Sequence, residues 1–136
     1  MGASYKGGCQ CGAVRYDTDA EPAFSIRCYC RQCQMITGTG HAVSFAMPAE
    51  GVAVTGALST YELRADNGNR VESRFCPTCG SPVMKRTDGY PQWLFFHAAT
   101  LDDPTLFTPE KSVYEQNRQP WDTGPPSDQS TTSGDI

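Results

Sequence analysis

Short runs in which hydrophobic and polar residues alternate fill most of the chain, and that is the period of a half-buried strand. Val14 and Tyr16 alternate with Arg15 and Asp17, and Phe24, Ile26, Cys28 and Cys30 share one parity. Val43, Phe45 and Met47 alternate up to Pro48. Val52 and Val54 follow, then a turn near Gly56 and a strand over 58–63. Asp66-Asn67-Gly68-Asn69 is a run of turn formers and predicts a reversal into a strand over 70–75. Segments 82–85 and 93–98 complete the strands, with Trp93 and Phe95 on one parity and His97 packed beside aromatics. Helix is scarce: one turn from Arg31 to Thr37, stopped by Gly38, and another after Pro104. Short strands with turn signals between them predict a mainly β fold of antiparallel sheets.

Past Trp121 the pattern stops. Residues 122–136 are mostly Ser, Thr, Asp, Gly and Pro, too poor in apolar surface to offset the entropy of ordering. The expected organisation is one domain over 1–121, with Trp121 its last anchored residue, and a flexible tail over 122–136. A length of 136 residues with 38% hydrophobic content suits one domain with a core.

Charge and hydropathy then remove whole classes of function. Eleven basic against fifteen acidic side chains give −4, with no basic run, so the footprint of a nucleic-acid binder is missing. The longest apolar run, Trp93 to Phe96, is far short of a membrane span. The first residues carry neither a signal-peptide core nor a myristoylation motif. The expectation is a cytoplasmic protein with no nucleic-acid or membrane partner.

The seven cysteines carry the chemistry, and none stands alone. They fall as Cys9-Gln10-Cys11, Cys28-Tyr29-Cys30-Arg31-Gln32-Cys33 and Cys76-Pro77-Thr78-Cys79. An odd number at this density is a poor disulfide framework. A thioredoxin-type role for Cys76 and Cys79 would want a helix after the motif, and no helical pattern follows it. Buried structural cysteines do not arrive in tight groups. Metal binding fits best: a tetrahedral zinc takes thiolates at about 2.3 Å, so two from one tight turn can face the same ion. Gly80 lets the Cys76–Cys79 turn aim its N–H groups at sulfur. That pair needs a second pair, either Cys9 with Cys11 or two members of the triple. The reading adopted is a closed site of Cys9, Cys11, Cys76 and Cys79, leaving Cys28, Cys30 and Cys33 around a second zinc. Three protein ligands with an open fourth position is the arrangement of a catalytic zinc.

Other candidates surround the triple. Arg27 precedes it, Arg31 lies within it, and both would meet substrate carboxylates, although a solvated arginine is the commoner case. Gly38-Thr39-Gly40 would let a substrate approach the backbone, or form a simple turn. His41 is a candidate fourth ligand or proton shuttle. No acidic or histidine side chain next to the triple stands out as a general base.

The run Gly7-Gly8-Cys9-Gln10-Cys11-Gly12-Ala13-Val14-Arg15-Tyr16 resembles the opening of the glutathione-dependent formaldehyde-activating (GFA) enzyme family. The same holds for the CxCxxC triple, for Phe75-Cys76-Pro77-Thr78-Cys79-Gly80-Ser81-Pro82 and for Thr100-Leu101-Asp102-Asp103-Pro104, all in the family's order. The resemblance covers residues 7 to 121. It implies a zinc-stabilised β-tent with two zinc ions per chain. The structural zinc would sit on Cys9, Cys11, Cys76 and Cys79, and the second on Cys28, Cys30 and Cys33. The implied activity joins glutathione, the small-molecule thiol partner, to formaldehyde as S-(hydroxymethyl)glutathione, a carbon–sulfur lyase reaction in reverse.

The chemistry can be argued from the donors as well. A thiol at the open position of a three-thiolate zinc would lose its proton more easily and could attack an aldehyde held beside it. The alternative is a non-catalytic binding module in which both metals are structural.

Overall fold

The alternation resolves into ten strands and one α-helix over residues 4–122, the residues described by the computed structural model. In chain order they are β1 (Tyr5–Gly8), β2 (Arg15–Thr18), β3 (Phe24–Cys28), α1 (Arg31–Thr37), β4 (Ala42–Pro48), β5 (Ala53–Thr55) and β6 (Ser59–Arg64). Then come β7 (Arg70–Phe75), β8 (Pro82–Thr87), β9 (Trp93–His97) and β10 (Lys111–Val113). The fold is mainly β. Among the described residues no helix is long and apolar enough to cross a membrane.

Two sheets form. The small one has the order β1-β2-β5, and the large one runs β10-β3-β4-β9-β8-β7-β6. All pairs are antiparallel except β10 with β3, which is parallel. That pair adds one parallel contact to the antiparallel sheets the sequence predicts. After β9 the chain crosses over through single 3-10 turns at Ala98–Thr100 and Pro104–Leu106 before running alongside β3. A strand of three residues is too short to announce itself by alternation.

β1 was equally invisible, because two of its four residues are glycine. The glycines are there for space. A Cβ on Gly7 would run into the Thr100 carbonyl oxygen and the Tyr16 ring, and one on Gly8 into the Val14 carbonyl oxygen.

β4 departs from its pattern in an informative way. Alternation of Val43, Phe45 and Met47 predicts one buried face, yet Ala42, Ser44 and Ala46 are buried too. The strand lies inside the large sheet with something on both sides, which removes the need for a polar face. β9 repeats this: Leu94, Phe95, Phe96 and His97 are all buried.

On one side is the core. Tyr5, Val14 and Tyr16 from the N-terminal segment meet Phe45, Met47, Met84, Leu94 and Phe96. Tyr16 lies 4.3 Å from Phe96, ring centre to ring centre, and Phe96 stacks on Phe45 at 5.7 Å. Burying such side chains stabilises the fold by about 1.5–3 kcal/mol each. The other side of the large sheet faces a cavity.

The helix has the predicted limits. The Cys30 sulfur accepts from the Cys33 N–H at its start, and Gly38, at φ 72°, donates its N–H to the Gln34 carbonyl at its end. Cys30 therefore belongs to the cap, and β3 stops at Cys28 instead of continuing through it.

Trp121 is 68% exposed and anchors nothing, whereas Asp122 Oδ2 sits 2.6 Å from His41 Nδ1. A carboxylate beside an imidazole, rather than the exposed indole, holds this segment. Apart from Asp122, the tail expected over 122–136 lies outside the described residues.

Candidate functional site

The first cysteine cluster ties the start of the chain to its middle. β7 and β8 lose register between Arg74 and Phe75, and the chain turns there into Cys76-Pro77-Thr78-Cys79. Gly80, at φ 79°, closes that turn. The loop between β1 and β2 brings Cys9 and Cys11 to the same place, and the four sulfurs lie within 4.8 Å of one another. Cys9 and Cys11 sulfurs are 3.6 Å apart, and Cys11 and Cys76 sulfurs 3.7 Å. A disulfide would need about 2.05 Å. A tetrahedron of thiolates around zinc, at about 2.3 Å each, has edges of about 3.8 Å, which these distances match.

The surroundings suit negative sulfur. Val14 N–H donates to Cys9 at 3.2 Å, and the Thr78 and Cys79 N–H groups donate to Cys76 at 3.4 and 3.5 Å. The Cys9 thiol is lowered, first by Val14. Cys79 is pulled down to about 5, chiefly by the Ser81 hydroxyl. The Ala13 N–H favours the Cys11 thiolate, but the neighbouring sulfurs outweigh it and push Cys11 up to about 11. Cys9 and Cys76 belong to the hydrophobic core, so this cluster and the core form together.

The second cluster sits where β3 meets α1. Cys28 ends the strand, Cys30 caps the helix and Cys33 lies in its first turn; the three sulfurs are within 4.8 Å of one another. Hydrogen bonds from Cys28 and Cys33 hold the Cys30 thiol down to about 2, while Cys28 and Cys33 are raised. Each ionised sulfur therefore opposes ionisation of the next, and a divalent cation relieves that opposition by displacing the remaining protons. Among the described residues no fourth His, Cys, Asp or Glu joins the triple, whereas the first cluster is complete.

The triple opens onto a cavity of about 630 Å³ that lies along the free face of the large sheet. Ile26, Ala42, Phe95, Ser73 and Val71 form its floor, and α1 forms one side. The tip of the β6–β7 hairpin closes over it, held by a hydrogen bond from Gln32 Nε2 to the Arg64 carbonyl. β10 supplies Lys111 and Val113 to the rim.

Two side chains here were not identified as site residues from the sequence. Lys85 Nζ approaches Cys33 Sγ to 3.4 Å and lies over the Phe95 ring. Burial lowers the Lys85 ammonium, but the charges of Cys33, Cys28 and Cys30 outweigh it and the net shift is upward. The available signal was a lone lysine closing the apolar run Pro82-Val83-Met84. His97 was expected to pack among aromatics, and it is buried. It also lines the cavity, and its Nε2 has no hydrogen-bond partner.

The remaining candidates divide. Arg31 lines the cavity, with its guanidinium 2.5 Å from Gln34 Oε1. Arg27 is exposed on β3 and outside the cavity lining, because alternation turns it opposite to Ile26 and Cys28. Gly38 and Thr39 are not in the lining either; Gly38 ends the helix, and the Thr39 hydroxyl donates to the His41 carbonyl. His41 is likewise apart from the triple. Its Nδ1 engages Asp122, its ring lies 4.6 Å from Tyr29, and it is neither grouped with the three sulfurs nor part of the cavity lining.

Comparison with known proteins agrees with this geometry. The family model for the glutathione-dependent formaldehyde-activating enzyme matches residues 4–117. No curated protein matches the chain. The crystal structure of a protein from Rhodobacter sphaeroides is similar, with a TM-score of 0.61 and 25% identity, covering 79% of this chain and 99% of that one. With a match over nearly all of its described residues, this chain belongs to the glutathione-dependent formaldehyde-activating enzyme family.

Proposed function

We propose that the protein is a zinc enzyme of the cytoplasm that makes and breaks the carbon–sulfur bond of thiol–aldehyde adducts. The pair suggested by the family is glutathione and formaldehyde, giving S-(hydroxymethyl)glutathione. One observation carries this reading: three clustered sulfurs, joined by no fourth ligand among the described residues, open onto a cavity large enough for a thiol and an aldehyde, while the other cluster has four.

Zinc on Cys28, Cys30 and Cys33 would supply a position at which a thiol loses its proton at neutral pH. The rest is work for the chain. Lys85 sets a positive charge against the sulfurs, so that the cluster can carry thiolate character in a partly enclosed space. Arg31 and Lys111 line the same cavity and offer charge-assisted hydrogen bonds to the carboxylates of a thiol such as glutathione. The walls bring thiol and aldehyde together, and proximity supplies the rate gain. Cys9, Cys11, Cys76 and Cys79 hold the fold. All seven cysteines are free of disulfides, which suits a reducing compartment.

Because glutathione and formaldehyde also combine unaided, the test is an exchange measurement. Two-dimensional exchange NMR of zinc-loaded protein with both compounds should show exchange that rises in proportion to protein concentration. Cys30→Ser should return it to background. Exchange that never exceeds background would overturn the proposal and favour a binding module with both metals structural.

A further inference from the structure

Lys85 is a cation without a carboxylate in a partly enclosed place. It stands on β8, half-buried, and lines the cavity. Among the described residues no carboxylate pairs with it, and its hydrogen-bond partner is Cys33 Sγ at 3.4 Å. A lysine withdrawn from water ordinarily has an acidic partner. Its neighbours across the sheet do not supply one, being Ser73 on β7 and Phe95 on β9, both in the cavity lining. An ammonium has three N–H donors, and Cys33 takes one of them. Arg31 and Lys111, the other basic side chains of the lining, are placed differently. Arg31 bonds along its own helix to Gln34 Oε1 and Met35 Sδ, and Lys111 lies over the Phe24 ring at 5.1 Å. Of the three, Lys85 is the one hydrogen-bonded to the triple.

We infer that Lys85 Nζ holds the oxygen of the aldehyde, and of the hydroxyl it becomes, while the carbon–sulfur bond forms and breaks. This rests on the function proposed above. A thiol joined to the triple comes to lie beside its sulfurs, and the oxygen of the adduct is only two bonds from the thiol's own sulfur. A donor that already reaches Cys33 is therefore within reach of that oxygen. In the addition, the thiol sulfur forms the bond to the carbonyl carbon and the carbon–oxygen π pair moves onto oxygen. The proton that the thiol gave up returns to that oxygen through water. Cleavage runs the same changes backwards. Lys85 stays an ammonium throughout and donates where negative charge develops, with one N–H kept on Cys33 and another turned to the oxygen.

The test compares two adduct mimics of nearly equal shape, S-acetylglutathione and S-isopropylglutathione, which differ in a carbonyl oxygen against a methyl group beside sulfur. Calorimetric titration of the full-length protein, with both cysteine clusters carrying zinc and no excess metal, gives both affinities. Lys85→Met should weaken S-acetylglutathione by about 3–10-fold, the worth of one hydrogen bond, and leave S-isopropylglutathione within about twofold. Lys85→Arg, which keeps a donor of the same charge, should recover part of the loss. A role confined to the metal or the fold would move both mimics alike. Equal weakening of both, or of neither, would overturn the contact with oxygen and leave the proposed function standing. Should neither mimic bind wild-type protein with both clusters loaded, the glutathione site itself is refuted, and the inference falls with it.

Discussion

Lys85 Nζ stands 3.4 Å from the sulfur of Cys33, a residue 52 positions earlier in the chain. β8 carries the lysine and α1 the cysteine, so the contact spans the cavity from sheet to helix. It places one positive charge against a group of sulfurs that oppose one another's ionisation, and that charge lowers all three of them.

That contact predicts metal affinity. Lys85→Met should weaken zinc at the triple by about tenfold or more, the usual effect of removing a group bonded to a metal ligand. Competition against a chromophoric chelator measures it. Lys85→Arg should keep most of the affinity, and an unchanged affinity in Lys85→Met would show that the ammonium is a bystander.

Metal content should divide by cluster. Elemental analysis of protein purified without added metal or chelator should give about two zinc ions per chain. Cys30→Ser should lower this to about one, and the remaining ion should resist mild chelation. A wild-type ratio near one would leave the triple without its metal and remove the basis for catalysis there.

Stability should divide the same way. Cys76 is fully buried and shares the core with Cys9, so Cys76→Ser should cost several kcal/mol or prevent folding, since a structural zinc contributes folding energy directly. Cys30→Ser, at the mouth of the cavity, should shift the melting temperature by only a few degrees. Circular dichroism melts decide the matter, and an unaltered melt for Cys76→Ser would contradict a structural role for the first cluster.

His97 gives a pH signature. Its folded-state value of about 4 lies below the ordinary 6.5, so above pH 6.5 the ring is neutral in both states. Between 6.5 and 4 the unfolded chain takes up a proton that the folded protein refuses. Stability is therefore complete above 6.5 and declines as pH falls towards 4, by at most about 3 kcal/mol from this residue. In urea denaturation across that range, the difference between wild type and His97→Gln should change by a comparable amount. Parallel curves would mean that the ring is not held neutral.

Gly7 gives a purely steric forecast. Gly7→Ala sets a methyl group against the Thr100 carbonyl and the Tyr16 ring, where neither has room to move far. The loss should be about 1–3 kcal/mol by denaturant titration, the usual cost of overpacking, and a neutral effect would show that the small sheet can slide.

Much of this was legible in the chain. The strand over 70–75 and the helix from Arg31 to Thr37 have the limits their turn signals gave, because Gly68 and Gly38 take the positive φ that such ends require. The grouping of the seven sulfurs was legible in part: tetrahedral counting asks a second pair for Cys76 and Cys79 but leaves both Cys9 with Cys11 and two members of the triple open, and the fold brings Cys9 and Cys11 there. What stayed hidden depended on long-range placement. Nothing local in Lys85 or His97 says that β8 and β9 carry them onto the face shared with Cys28; that follows from strand order, and strand order is a property of the whole sheet. His41 is the opposite case. It is near the triple in sequence, but its imidazole is committed to Asp122, a partner 81 residues away.

The parallel pairing of β10 with β3 has a consequence for the order of assembly. Both cysteine groups are complete once residue 79 has been made, and β4, β8 and β9 can join β3 without help from later chain. The rim bearing Lys111 and Val113 comes last, when the Tyr29 N–H finds the Val113 carbonyl at 3.0 Å. A growing chain halted before Lys111 would thus hold every sulfur and yet lack the part of the cavity rim that β10 supplies. Metal capture can therefore precede completion of the rim.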